Sequence, residues 1–352
     1  MARRGATENQ MSRRFDDHAR ESDGDFRDWL IAAEGETPLR TEVRIEQPKS
    51  ALTRNASPDL PFDRSFNAYR GCEHGCIYCF ARPTHAFHGL SPGLDFESRL
   101  FAKPDGPALL RKAFARPGYR PAPLAMGTNT DPYQPVEGRF RITRAVLELC
   151  LETRHPVAIT TKSARILDDL PLLAALAKRG LAMAMLSVTT LDPGLARAME
   201  PRAAAPHRRL AAIRALSDAG VPVAVSASPM IPGLNDHELE AILAAAAQAG
   251  ARTAAAMPVR LPHEVAPLFE AWLRHHVPDR AERVLNGVRA MRGGRLNDPR
   301  FGTRLKGEGE WARLLGMRLA AARRRFGLAR RDWTLRTDLF RRPGDPAQPS
   351  LF

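Results

Sequence analysis

Cysteine is scarce in this chain, with four in 352 residues. So few thiols do not make a disulfide framework. In a reducing compartment a tight group of them points to metal binding or catalysis. Long apolar runs are missing as well. None approaches the roughly 20 residues of a membrane span. The opening MARRGATENQMSRRFDDHARESDG is charged and lacks the apolar stretch of a secretory signal. A cytoplasmic protein with no membrane partner is therefore expected. Lysine is rare too: 6 of the 53 basic residues are lysine and 47 are arginine, so a lysine at a strand end stands out. Apolar residues, by contrast, make up 44% of the chain, enough for one large domain or two ordinary ones.

The formal net charge is +14, and residues 300–352 hold 13 Arg and Lys against 5 Asp and Glu. A basic C-terminal segment raises the expectation of an anionic partner such as nucleic acid. A merely solvated basic tail is the alternative.

Residues 1–60 mix charge, Pro and Ser with little periodicity. They read as an N-terminal extension, partly disordered, with a short helix around Phe26–Ala33. From residue 61 to about 280, strand-like and helix-like stretches alternate. The strand-like ones are SFNAYR (65–70), PLAMGTNT (123–130), VAITT (157–161), LAMAMLSVTT (181–190), VPVAVSASP (221–229) and ARTAAAMPV (251–259). Helical patterns at 141–154, 166–180, 206–220, 235–250 and 263–276 separate or follow them, several ending at Gly. Such alternation implies parallel strands with right-handed crossovers. About six units are fewer than a closed TIM barrel needs, so an α/β partial (β/α)6 barrel is expected. A doubly wound open sheet is the structural alternative. Both put chemistry at the carboxyl ends of the strands. Residues 281–352 read as a basic, mainly helical segment.

Three of the four cysteines fall in GCEHGCIYCFARPTH (71–85), at Cys72, Cys76 and Cys79, directly after the first expected strand. A structural zinc site normally closes with four ligands, and His74 or His85 is available as a fourth. An iron–sulfur cube also takes thiolates, and three of them leave one iron open to a small molecule. Gly71 and Gly75 permit the tight turns that bring three sulfurs together. Tyr78 and Phe80 flank Cys79. Cys150, in the apolar helical stretch VLELCLETR, reads as a buried core residue.

The spacing Cys72-x3-Cys76-x-Tyr78-Cys79 resembles the signature of the radical SAM superfamily. The surrounding YRGCEHGCIYCFARPTH, GLDFESR, GTNTDPYQPVE, TKS and MIPGLND are similar to the branch related to spore photoproduct lyase, described as DNA-repair-photolyase-like. The likeness spans roughly residues 60–280. It implies a [4Fe–4S] cluster on Cys72, Cys76 and Cys79, with S-adenosylmethionine (SAM) on the open iron cleaved reductively to a 5′-deoxyadenosyl radical. It also implies an electron donor such as flavodoxin or ferredoxin, and a nucleic-acid substrate. Thr130, Lys162 and Ser187 stand where this branch has SAM contacts, with Tyr78 beside the cluster. Glu200 and Arg202, in AMEPRAAAPHRR, bind ligand or form a structural ion pair. One departure stands out. Spore photoproduct lyases have a cysteine near the second strand, whereas here the stretch reads Met126-Gly127-Thr128-Asn129-Thr130. Tyr133, close by, is a candidate for radical transfer. The rival from another class is a non-catalytic nucleic-acid-binding protein with a structural zinc or iron–sulfur knuckle.

Overall fold

The computed structural model describes residues 4–6, 9, 40–328 and 334–344. Among them ten strands form two sheets. They are β1 (Glu42–Ile45), β2 (Thr53–Arg54), β3 (Arg64–Phe66), β4 (Tyr69–Arg70), β5 (Arg99–Ala102), β6 (Leu124–Met126), β7 (Val157–Thr161), β8 (Ala182–Ser187), β9 (Val223–Met230) and β10 (Thr253–Pro258). The larger sheet runs β10-β9-β8-β7-β6-β3-β2. Its six strands β3 and β6 to β10 are all parallel, and β2 closes one edge antiparallel. The parallel strands follow chain order without reversal. A doubly wound sheet would reverse direction at a switch point, so the partial barrel is the architecture.

The helices form where apolar residues recur every three or four positions. In Ile142–Thr153 the buried residues include Ile142, Val146, Leu149, Cys150 and Thr153, and the helix stops at Arg154 with φ 53°. Pro193–Met199 starts with a proline in its first turn, and the Asp192 carboxylate accepts from the backbone N–H of Gly194 and Leu195 at 2.6 and 3.2 Å. Cys150 is fully buried in the main core, as its apolar setting implies.

Three expectations are corrected in detail. SFNAYR is not one strand. Residues 64–66 pair with β6, while Tyr69–Arg70 pair with β5 in the small sheet β1-β5-β4. Asn67 sits at the break, where its side chain bonds Thr128 Oγ1 at 3.1 Å and accepts from the Asn129 N–H at 3.0 Å. The second expected strand also ends early, at Met126, because Gly127 turns the chain with φ 83°. The pattern at 166–180 splits into a 3-10 turn, Ala164–Asp169, and a helix, Leu170–Ala177. The helix expected around Phe26–Ala33 lies outside the described residues.

Parts of the N-terminal extension are built into the body. β1 runs parallel to β5, and β2 pairs with β3. In the C-terminal segment, helix Gly309–Arg325 packs on helix Leu239–Gln248 and β10. Trp311 Nε1 donates to Asp236 at 2.9 Å, Arg318 Nε to Glu240 at 2.8 Å, and Arg323 Nε to the Ala254 carbonyl at 2.8 Å. No helix among the described residues is long and apolar enough to cross a membrane.

A Cβ on Gly127 would lie 2.0 Å from the Thr160 carbonyl oxygen, whereas one on Gly118, at a similar φ of 75°, would meet nothing within 4 Å. Gly118→Ala therefore carries only the left-handed backbone penalty of roughly 1–2 kcal/mol. Gly127→Ala adds a backbone collision, and its loss is expected to exceed the other by about 2 kcal/mol or more. Denaturant unfolding of the two variants checks this. Equal losses would mean that β6 and β7 can part without cost at this point.

Candidate metal and cofactor site

The three clustered cysteines lie on the loop that leaves β4. Gly71 and Gly75 take φ 73° and 67°. Space as well as conformation requires glycine at both. A Cβ on Gly71 would stand 2.8 Å from the Phe96 carbonyl, and one on Gly75 2.7 Å from the Glu97 carboxylate. The loop has little regular hydrogen bonding of its own, and buried side chains satisfy much of it. Arg82 is fully buried. It donates to the carbonyls of Gly75 (3.1 Å), Cys76 (2.9 Å), Pro92 (3.0 Å) and Gly93 (2.9 Å), and pairs with Glu97 at 2.5 Å. Glu97 in turn accepts from the backbone N–H of Gly5 at 2.8 Å and Ala6 at 2.7 Å. Gln134 holds the other flank, accepting from the Glu73 N–H at 2.8 Å and donating to the Gly71 carbonyl at 3.2 Å.

Cys72 and Cys76 are buried and Cys79 is half-buried. Burial raises the pKa of both buried thiols, Cys76 to about 12, against the pull of Lys162. Dry thiols of this kind give up their protons to a metal centre rather than to water. Three thiols on one ordered loop are the donor set a cube with one open iron requires. The two histidines that could complete a zinc site are each engaged on one ring nitrogen. His74 Nδ1 faces the Asp131 carboxylate at 3.3 Å, and His85 Nε2 faces the Arg99 carbonyl at 2.8 Å.

A second buried network stands beside the loop, at the carboxyl ends of β7 to β9. The Glu200 carboxylate accepts from the Tyr78 hydroxyl and from Thr189 Oγ1 (2.7 Å), and pairs with Arg209. Arg209 also donates to the carbonyls of Ala204 at 2.6 Å and Ser187 at 3.1 Å. Burial opposes ionisation of Glu200, yet Arg209 and then Lys162 hold its carboxyl at about 2. The Lys162 ammonium lies 5.8 Å from the centre of the Tyr78 ring. Burial acts to lower its pKa, but Cys76 and Glu200 outweigh that and raise it, so it stays charged. Asp131 backs the strand ends, accepting from Thr161 Oγ1 at 2.6 Å and the Lys162 N–H at 2.8 Å.

The structure thus brings Cys76, Tyr78, Lys162 and Glu200 together, with Ser187 at the end of β8. Thr130 is buried nearby in the chain fold, with its hydroxyl donating to the Tyr69 carbonyl at 3.0 Å. Arg202 pairs with Glu73 at 2.9 Å, and its backbone N–H bonds the His74 carbonyl at 3.3 Å. Tyr133 is buried in the main core and gives its hydroxyl to Asp169 at 3.1 Å. Sequence reasoning missed Arg82, Glu97, Arg209 and Gln134. Only their position inside or next to the quoted motifs hinted at them.

The family model described as the Radical SAM superfamily matches residues 66–246. The chain belongs to that superfamily, whose enzymes use a [4Fe–4S] cluster and SAM. An uncharacterized protein of Mycobacterium tuberculosis is 37% identical over 239 residues, covering 67% of this chain and 70% of that one. An uncharacterized protein of Methanocaldococcus jannaschii is 26% identical over 172 residues, 49% of this chain and 62% of that one. Among solved structures, a spore photoproduct lyase variant with bound AdoMet and dinucleoside spore photoproduct superposes with a TM-score of 0.60 at 15% identity, covering 83% of each chain. A second spore photoproduct lyase complex gives 0.59, also at 15% identity and 83% of each chain. These two share the fold.

The buried Arg82–Glu97 pair yields a prediction for the metal-free protein. Removing one partner leaves an uncompensated buried charge, so Arg82→Met and Glu97→Gln should each destabilise by roughly 3–5 kcal/mol. The double variant should recover part of that loss. Additive losses in chemical unfolding would show that the two side chains are not coupled.

Proposed function

We propose that this radical SAM enzyme acts on nucleic acid. The observation that carries the cofactor half is the juxtaposition of three loop thiols with the charged Lys162–Glu200–Arg209 network. It lies at the carboxyl end of the parallel sheet, beside β7 to β9. When bound, the cluster and SAM supply one-electron reductive cleavage of the sulfonium, giving a 5′-deoxyadenosyl radical. Cys72, Cys76 and Cys79 would hold the cluster. Lys162, fixed in its charged form, takes a carboxylate or ribose hydroxyl of SAM, and Thr130 and Ser187 supply hydroxyls at adjoining strand ends. Glu200 orients the Tyr78 hydroxyl and holds Arg209 and Lys162 in place. Arg202 braces Glu73 on the cysteine loop. Arg82, Ile77 and the buried face of the loop keep water from the sulfurs. The reducing electron comes from a one-electron carrier such as flavodoxin or ferredoxin.

The nucleic-acid half rests on the likeness to the photoproduct-lyase branch and on the +14 charge. The lack of cysteine in 126–130 argues for a substrate other than the thymine dimer itself. The basic tail was the expected contact. Several of its arginines are engaged within the protein: Arg304 with Asp59, Arg318 with Glu240 and Arg336 with Asp338. Arg330 and Arg331 lie outside the described residues.

Two outcomes test the cofactor half. Cys72→Ala, Cys76→Ala and Cys79→Ala should each lose both the absorbance near ~400 nm of a thiolate-bound cluster and anaerobic 5′-deoxyadenosine formation, whereas Cys150→Ala should keep both. Iron retained by Cys79→Ala and lost by Cys150→Ala would overturn the ligand set. Lys162→Ala should leave the cluster spectrum intact and weaken SAM binding by one to two decades, the equivalent of a charge-assisted hydrogen bond of about 1.5–3 kcal/mol. An unchanged dissociation constant would remove Lys162 from the SAM site.

A further inference from the structure

β10 ends beside the cysteine loop with a register shift between Ala256 and Pro258, the kind of irregularity that re-aims the chain at a sheet rim. Two residues on, the Arg260 guanidinium lies 4.7 Å from the centre of the Phe80 ring, and Phe80 directly follows Cys79. Arg260 is half-buried and has no hydrogen-bond or ion-pair partner among the described residues. Its charged surroundings are Arg304, Asp59 and Cys79. A second stack of the same kind lies in that neighbourhood. Arg304 sits 4.7 Å from the centre of the Phe301 ring and is satisfied by Asp59 at 2.6 and 2.8 Å. Arg292 ties the two segments together. It is buried, and it donates to the Val259 and Arg304 carbonyls at 2.9 Å each and to Thr303 at 3.2 Å.

Each phenyl is unusually open for its size: Phe80 is 45% and Phe301 58% exposed. Each carries an arginine on its ring. Asp59 occupies the Arg304 guanidinium, whereas the Arg260 guanidinium is left to water rather than to a described side chain or carbonyl and so keeps its donors free for an anionic ligand. A planar, bidentate donor beside exposed aromatic faces matches a phosphodiester with unpaired bases, because bases stack on such rings only when free of their own helix. We propose that Phe80, Arg260 and Phe301 form the entry platform for a single-stranded or locally opened nucleic acid. In it Arg260 takes a phosphate and the two phenyl faces take bases, next to the half-buried Cys79. This inference rests on the nucleic-acid reading above and moves the contact from the tail to the mouth of the barrel.

The test is titration of the reconstituted full-length enzyme with a fluorescent oligothymidylate and with a duplex of the same length, over a range of salt. Arg260→Gln should weaken single-strand binding about ten-fold and reduce the log–log salt slope by about 0.7, one phosphate on a single strand. Phe80→Leu and Phe301→Ala should each weaken binding about ten-fold through lost stacking and leave the salt slope unchanged. Arg324→Gln, on the exposed end of the C-terminal helix, should change neither. Iron content and melting temperature of every variant should match the parent protein. If the parent binds neither probe at any salt, the nucleic-acid reading fails and this inference with it. If the parent binds and the Arg260, Phe80 and Phe301 variants bind equally well, the platform alone is wrong. A shifted cluster reduction potential in Arg260→Gln with unchanged binding would assign Arg260 to the cluster and likewise overturn it.

Discussion

The buried pair of Arg82 and Glu97 is the constraint on which the site depends. A loop that must converge three sulfurs cannot use helix or sheet ladders to satisfy its backbone. Its carbonyls still need donors once buried. Arg82 serves four of them from one planar group, which only a guanidinium can do. That places a full positive charge in the interior, and Glu97 is the compensation. The remaining acceptor capacity of Glu97 then draws in the N–H groups of Gly5 and Ala6. Gly5 is so close to the loop that a side chain there would overlap the Gly75 carbonyl. A few residues far up the chain thus become part of the floor of the cysteine loop.

The same logic of opposed charges orders the other side of the site. Glu200 is shared by Arg209, Tyr78 and Thr189, and Lys162 adds a second cation close by. Two cations against one carboxylate leave positive charge facing Cys76. That bias opposes, without overcoming, the burial that raises the Cys76 pKa, and it favours a ligand bearing a carboxylate. Asp131 and His74 make a separate pair behind the strand ends, so the two halves do not compete for one partner.

Much of this was legible in the sequence, for physical reasons that differ by element. Strands β7 to β10 and their helices follow from apolar periodicity and from Gly at helix ends, because both faces of a parallel sheet are covered. The cysteine spacing and the positions of Lys162, Ser187 and Thr130 followed from resemblance rather than periodicity. The short strands β1 and β2 were not legible, and β4 was read as the end of one strand with β3. Each has two to four residues; β1 and β4 both pair with the distant β5, and β2 pairs with β3 across an irregular loop. The split of SFNAYR turns on Asn67, whose amide bonds to Thr128 and Asn129 have no local sequence signal. Arg82 and Arg209 were hidden for a related reason. In a chain with 47 arginines, nothing in composition separates a buried bracket from a solvated surface charge.

That last point bears on how the +14 charge is read. Formal charge counts every arginine alike, but a guanidinium already bidentate to a carboxylate has little left for a phosphate. Arg304, Arg318 and Arg336 are paired in that way, and Arg323 is turned onto the Ala254 carbonyl. The tail's excess therefore overstates the surface available for an anion. A guanidinium at the rim whose donors are taken by no carboxylate or carbonyl among the described residues is the more specific sign, because those donors can pass from water to a phosphate without breaking an internal pair. Arg260 meets that description at the rim of the site where the cysteines lie.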